Sequence, residues 1–277
     1  MFSRFPALSA SVVVLSLLTS CGGGGGGGSS GNTASTTPEQ HIPVVATESA
    51  PIGPLVDVAA LNLMPLSQND SWVYDITDAN GNLIGAGDRI AVQSSTDAGS
   101  TQAQLLEVEH LNPGGITALV KTANGVFHDY TTDAELPSET RQQIGLVREY
   151  AFPTYAIGEA RTVVRQGVWN EDRDGDGQFE QFRLEYTQIF RGFESFALPW
   201  NATVSAARFS NASRMTVTNS GSGEVSGIVF SEEAWLAQGL GPVKFIRHAE
   251  DVQGNTVKNL QTWMIKTLDV GGRILPE

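Results

Sequence analysis

Cysteine is all but missing, since Cys21 is the one thiol in 277 residues. The chain downstream of it cannot be stapled by disulfides and offers no thiolate to zinc, so it must be held by its core or by a metal with oxygen ligands. Basic residues are also scarce, with 17 Lys and Arg against 30 Asp and Glu and a net charge of −13. That balance argues against a nucleic-acid partner and against a basic patch for anionic lipid. No apolar run reaches the roughly 20 residues that a spanning helix needs. Hydrolase signatures are absent too: there is no G-x-S-x-G elbow, no His-x-His and no His-Glu-x-x-His. His41 lies in a linker-like stretch, and His110, His128 and His248 are scattered over segments with strand patterning. Glu107 and Glu109 are spaced to put their carboxyls roughly 7 Å apart, as in a glycosidase pair. Alternate residues of one strand share a face, however, whereas hydrolysis needs carboxyls on both sides of a bond. Trp200 and Trp263 read as core rather than as sugar platforms. The sequence therefore predicts no catalytic residue and no enzyme.

The most specific feature present is Leu18-Thr19-Ser20-Cys21, which follows the apolar segment from Val12 to Leu18, with Arg4 ahead of it, and precedes the glycines Gly22 to Gly28. This pattern resembles the lipobox of bacterial lipoproteins. The resemblance implies that residues 1–20 are a signal peptide. It also implies that Cys21 carries a diacylglyceryl group on sulfur and an acyl chain such as palmitate on its amine. One chain binds membranes only marginally, at roughly 0.8 kcal/mol per buried methylene, whereas two or three anchor stably. Gly22 stands where inner-membrane retention signals usually carry aspartate, which implies the outer membrane and leaves the leaflet open. The alternative is an ordinary secretory peptide cut near Ser20. Residues 21–54 are rich in Gly, Ser, Thr and Pro and read as a flexible tether with a reach of roughly 30 Å. Loss of Arg4 with the leader takes the net charge to −14.

Residues 55–277 are long enough for one sizeable domain and read as a single one. Trp72, Tyr74 and Ile76 alternate with polar neighbours, and Asn80-Gly81 follows as a hairpin signal. Leu106 and Val108, then Ile116, Ala118 and Val120, repeat the alternation, and Asn124-Gly125 marks a second tight turn. Leu184, Tyr186 and Phe190 share a face, as do Ala207 and Phe209, and Trp263 and Ile265. The predicted class is all-β, a mainly antiparallel sheet in a curved half-barrel or sandwich. It should carry one or two short helices, at Pro137 to Leu146 with Ser138 as cap and, more weakly, from Ser231 through Glu232, Glu233 and Ala234.

The segment from Trp235 to Lys244, Trp-Leu-Ala-Gln-Gly-Leu-Gly-Pro-Val-Lys, resembles one found near the C-terminus of many β-rich bacterial envelope proteins. In that group it follows an upstream Pro-Leu and Trp-x-Tyr, matched here by Pro65-Leu66 and by Trp72 and Tyr74, and a middle segment matched by Leu198-Pro199-Trp200. Asn201-Ala202 stands where the group usually has glycine. The resemblance implies location and fold, not chemistry. Read from the residues, Gly239 and Gly241 permit a sharp turn and Trp235 anchors the core. A phosphate cradle is disfavoured, because Pro242 removes a donor and no helix follows.

One motif carries chemistry. Asp172-Arg173-Asp174-Gly175-Asp176-Gly177-Gln178-Phe179-Glu180 has the D-x-D-x-D-G-x-x-E spacing of a calcium loop. Asp172, Asp174, Asp176 and Glu180 supply hard carboxylate oxygens, and Gly177 permits the turn that brings the Gln178 carbonyl inward. Arg183 stands where an EF-hand needs its bidentate glutamate, and both flanks read as strands, so the motif resembles the β-hairpin calcium loop of integrin-type repeats. Two carboxylates about 5 Å apart repel by roughly 3 kcal/mol at an effective dielectric near 20, so a gathered loop favours a cation. A solvated acidic turn is the plain alternative.

Taken together, these features predict a non-enzymatic, membrane-anchored envelope lipoprotein, a binding or scaffold module with a structural calcium loop. Two alternatives remain open: a carrier of lipid or another apolar ligand in a cavity lined by residues such as Trp72, Tyr74 and Phe190, and a hydrolase whose site is assembled from distant residues. The mature protein should incorporate labelled palmitate and partition into detergent. Cys21→Ala should abolish both, and intact-mass measurement would sink the anchor by showing an unmodified Cys21.

Overall fold

Period-two alternation along long segments builds nearly the whole molecule. The computed structural model describes residues 45–276 except 59–60, 98–99 and 110–111, with the backbone alone at 97, 106–109 and 112–115. The signal peptide, Cys21, the tether through residue 44, His41 and His110 lie outside the described residues.

The strands are β1 (Val45–Glu48), β2 (Ser71–Thr77), β3 (Leu83–Asp97), β4 (Thr101–Glu109), β5 (Asn112–Thr122), β6 (Gly125–Asp129) and β7 (Leu146–Ala151), followed by β8 (Ala160–Val168), β9 (Gln181–Ala197), β10 (Thr203–Thr218), β11 (Val225–Ala237), β12 (Gly241–Asp251), β13 (Thr256–Val270) and β14 (Arg273–Leu275). All the pairings between them are antiparallel and form one open sheet in the order β1-β8-β9-β10-β11-β12-β13-β2-β3-β4-β5-β6-β7, with β14 beside β13. Two meanders, β2 to β7 and β8 to β13, are thus joined edge to edge where β13 meets β2. The predicted all-β class, with a curved antiparallel sheet, is what the chain adopts.

The predicted helix is present as α1 (Ser138–Ile144) and ends at Gly145 with φ 63°. Its cap differs from expectation: Pro137 holds the cap position and no side chain caps the first turn. The second helix candidate is a correction, because residues 231–234 lie in the middle of β11, where Ala234 and Trp235 pack into the core. Helical capping signals there lose to pairing on both sides, with β10 and β12. A second difference is β1, which falls inside the stretch read as tether. Val45 to Glu48 pair with Gln166 to Val163, so strand pairing is present ten residues before Leu55.

The sheet curls onto itself. The backbone carbonyls of β7 at Leu146, Arg148 and Glu149 accept hydrogen bonds from side chains of β8 and β9. Arg165 donates to Leu146 O at 3.1 Å, Arg161 to Arg148 O and to Glu149 O at 3.1 Å, and Tyr186 OH to Glu149 O at 3.2 Å. Arginine side chains thereby cover an edge that would otherwise template pairing with another chain.

The Trp72–Tyr74 segment and the Trp235–Lys244 segment meet beside the joint between the meanders. Trp72 Nε1 donates to Leu240 O at 2.6 Å and Tyr74 OH to Pro242 O at 2.8 Å. Gly241, at φ 85°, lies so close that an added Cβ would fall 2.9 Å from the Trp72 ring. The middle segment turns between β9 and β10 with Asn201 at φ 62°, and asparagine is the residue other than glycine that tolerates this region best. Gly241→Ala should cost about 2–4 kcal/mol, from left-handed strain plus overpacking on Trp72. Tyr74→Phe should cost about 1–2 kcal/mol. Urea denaturation checks both, and wild-type stability in Gly241→Ala would remove the joint from its structural role.

Candidate functional site

The acidic loop joins β8 to β9 as an extension of their hairpin. Trp169, fully buried, donates its backbone N–H to Glu180 O at 2.8 Å, and the Glu180 N–H returns to Glu171 O at 3.3 Å. Helix α1 holds the base of the loop: Gln143 exchanges two bonds with the Val168 backbone at 3.0 and 3.1 Å, and Thr140 Oγ1 donates to Trp169 O. Beyond this base the chain winds around Asp172. Its Oδ1 accepts from Gly175 N at 2.6 Å and Asp176 N at 3.1 Å, and its Oδ2 from Gly177 N at 2.8 Å. Gly177 takes φ of 85°, at the turn that the spacing predicts, and Gly175 takes φ of 77° as well.

The winding brings Asp172, Asp174 and Asp176 together, with one carboxylate oxygen from each lying within 4.8 Å of the others, all exposed. Glu180 is placed differently. It is buried below the loop, its Oε1 accepts from Arg173 N at 2.6 Å, and its Oε2 has no hydrogen-bond partner. Gln178 is exposed, and its N–H is taken by Asp176 Oδ1 at 2.8 Å. The hairpin turn between β10 and β11 packs on the loop from the side. Ser220 Oγ donates to Phe179 O, and an added Cβ on Gly221 would clash with the Asp176 carboxylate. Hard carboxylate oxygens gathered at alternate positions are a donor type suited to calcium, and Glu180 stands apart from the three that converge.

A second polar constellation went unread in the sequence. Strand register places Arg161, Gln188, Asn211, Glu232, Arg247 and Gln261 side by side across β8 to β13. All lie in phase with buried apolar residues of their own strands, and Arg161 and Arg247 are almost fully enclosed. Arg247 Nε donates to Glu232 Oε2 at 2.9 Å, and its guanidinium lies over Phe245 and Trp263 at 4.1 and 4.7 Å. Asn211 Nδ2 donates to Glu232 Oε1 at 3.1 Å, and Arg161 NH1 pairs with Glu48 at 3.1 Å. Facing this row from β7 are Glu149 and Tyr150, and His128 lies 3.3 Å from Glu149 while stacking on Tyr130. The sequence did hold a signal, since a charged residue interrupts each of two apolar faces, Val243-Phe245-Arg247-Ala249 and Arg161-Val163.

The row borders a cavity of about 40 Å³ whose lining includes Glu149, Tyr150, Tyr186, Asn211, Ser213 and Glu232. Asn211 Oδ1 and Ser213 Oγ are buried without a protein partner, and the volume suits a few bound waters. Trp72, Tyr74 and Phe190, expected to line a carrier cavity, are packed in the main core instead. Trp263 is fully buried and Trp200 packs on the same core, as expected. Glu107 and Glu109 share β4, and their side chains lie outside the described residues.

Burial pushes the Tyr150 and Tyr186 phenols well above their usual range. For Tyr150 the nearby Glu232 and Glu149 carboxylates add to the rise, and for Tyr186 Glu149 adds most. Both stay protonated donors, unsuited to act as bases. In the unfolded chain these phenols ionise near pH 10. Their contribution is therefore intact below pH 10 and is lost as pH rises beyond it, because the unfolded state releases protons that the folded state retains. Denaturation midpoints should fall between pH 9.5 and 11 by roughly that rule, and the fall should be shallower in Tyr150→Phe with Tyr186→Phe. An equally steep fall in the double variant would refute the assignment.

No known family profile matches this chain, and no curated protein matches it. Among solved structures it is similar to a candidate lipoprotein from Parabacteroides distasonis, at 14% identity over 74% of this chain and 97% of that one, with a TM-score of 0.42. It is also similar to a candidate exported protein with a YmcC-like fold from Bacteroides fragilis, at 11% identity over 76% and 97%, with a TM-score of 0.40. Similarity at this level leaves the chemistry to the chain's own residues.

Proposed function

We propose that the chain is a membrane-anchored envelope lipoprotein whose β-rich domain acts by display or binding rather than by catalysis, with calcium held at the Asp172–Glu180 loop as a structural ion. Cys21 anchors it, and the outer membrane is the membrane proposed. The observation that carries the calcium part is the convergence of the Asp172, Asp174 and Asp176 carboxylates on one another. Exposed carboxylates gathered this closely repel one another, and a divalent ion turns that repulsion into coordination. It would also pin the β8–β9 hairpin of a domain that has no disulfide.

The interior favours a module over a carrier. The cavity beside the polar row, at about 40 Å³, is far below the roughly 300–1,000 Å³ of small-molecule sites. A larger depression of about 310 Å³ beside Phe193 and Val204 lies open on the surface and encloses nothing. The partly buried carboxylates Glu232 and Glu149 are committed to Arg247 and His128, which suits structure better than acid–base work.

Calorimetric titration of the full chain in detergent should show one calcium site with a dissociation constant between micromolar and millimolar, the span of sensor and extracellular sites. Asp174→Ala with Asp176→Ala should lose it. Thermal unfolding should rise by several degrees with calcium in the wild type alone. Heat-free titration at millimolar calcium would defeat the calcium reading.

A further inference from the structure

The curl of the sheet leaves a recess of about 40 Å³ between the two meanders. Leu105 of β4 and Leu119 of β5, with Met64, line it from the first meander, and Asn211 and Ser213 of β10 line it from the second. Asn211 and Ser213 alternate on one face of their strand, roughly 6.5 Å apart along it. They are only 7% and 3% exposed, and Asn211 Oδ1 and Ser213 Oγ have no hydrogen-bond partner among the described residues. The Asn211 amide cannot turn over to relieve this. Its Nδ2 donates to Glu232 Oε1 at 3.1 Å, and because an ionised carboxylate only accepts, Oδ1 is left as an acceptor without a donor. Ser213 Oγ can donate as well as accept. A guest oxygen carrying one hydrogen answers both, donating to Asn211 Oδ1 and accepting from Ser213 Oγ, and so removes the desolvation cost of each buried group.

The charges around the recess select a neutral guest. Glu232, in its wall, is paired with Arg247 at 2.9 Å, and Glu149, also in its wall, lies 3.3 Å from His128. A carboxylate guest would face both glutamates, and an ammonium would bring a new charge out of water to a carboxylate that already holds a guanidinium. Water satisfies the polar wall alone. A buried water needs two to four polar partners, and the side chains of Leu105, Leu119 and Leu236 offer none. One water centre takes about 10–15 Å³, so the recess has room for roughly three or four such groups, a hydroxyl and a short carbon chain.

We propose that this recess is a binding site for a short aliphatic alcohol, its hydroxyl held between Asn211 Oδ1 and Ser213 Oγ and its chain against Met64, Leu105 and Leu119. Such a guest is far smaller than the lipid of a carrier, and its site involves neither Cys21 nor the acidic loop.

Met64 lines the recess and reports on it. The full chain, labelled at its methionine methyl carbons and held in detergent, is titrated with 1-propanol while NMR follows the Met64 signal, assigned by its loss in Met64→Leu. Met264 packs on the same core outside the recess and serves as the solvent control. The Met64 signal should move along a saturating curve with a midpoint in the millimolar range, as the ceiling on affinity per atom leads one to expect for so small a ligand. Met264 should not follow it. Propylammonium and propionate, of the same size, should bind at least tenfold more weakly, and Ser213→Ala should weaken propanol at least threefold. A linear drift shared by Met64 and Met264 would overturn the site and leave water as the occupant. Equal binding of either charged probe, or an unchanged midpoint in folded Ser213→Ala, would overturn the hydroxyl assignment. Should Ser213→Ala not fold, the three probes on the wild type still decide.

Discussion

The constraint on which the sheet depends is the row of polar side chains crossing β8 to β13. Buried charges are tolerated only when paired, and breaking such a pair costs about 3–5 kcal/mol. Arg161, Gln188, Asn211, Glu232, Arg247 and Gln261 find their partners only if the strands they sit on keep one register. A two-residue slip between β11 and β12 would preserve the inward face of each strand, so apolar burial alone would tolerate it. The same slip would part Arg247 from Glu232 inside the core. Hydrophobic alternation chooses the face, and the ionic row chooses the register. The row also divides the interior. One apolar cluster gathers around Trp72, Phe209 and Trp263, and another around Trp169, Phe182 and Val217 next to the acidic loop.

The second dependency lies at the joint between the meanders. β2 comes early in the chain and β13 late, and the sheet is continuous only because they pair. Long-range pairing of this kind is entropically costly to start. The cost is offset by contacts reaching past the neighbouring strand: Tyr74 lies 5.7 Å from Trp263 and 5.9 Å from Phe245, and Trp72 closes on the Gly241 turn. A glycine is required at 241 for two separate reasons, its left-handed backbone and the indole pressed against it.

Much of this was legible beforehand because it is local. Period-two alternation marked the faces of β2, β9, β10 and β13, and Asn80-Gly81 and Asn124-Gly125 marked turns that the structure contains. Gly177 announced a turn in the acidic loop. What escaped depends on partners far along the chain. Glu232 looked like part of a helical start because Ser231 and two glutamates suggested a cap, and only the cross-strand neighbour Arg247 gives it a reason to be in a core strand. Residues 45–48 looked like tether because Val-Ala-Thr-Glu has no pattern of its own; β8 supplies the free edge that orders them. The ninth-position acid was read in the right loop, but its burial beneath the loop, bonded to Arg173 N, follows from tertiary packing that spacing cannot express.

The lack of disulfides and the surplus of acid bear on the same end of the molecule. The acidic loop is based on Trp169, held by α1 and flanked by the β10–β11 turn, so an ion bound there would act on three elements at once. The same end receives β1, whose Glu48 bridges Arg161 and Arg148 and thereby connects the joining strand to both sides of the curled sheet. Tension on a tether leading into Val45 would pass through a four-residue ladder into β8, and from β8 into the polar row through Arg161. An ion at the loop, as proposed, would stiffen the end of β8 at which Val45 joins.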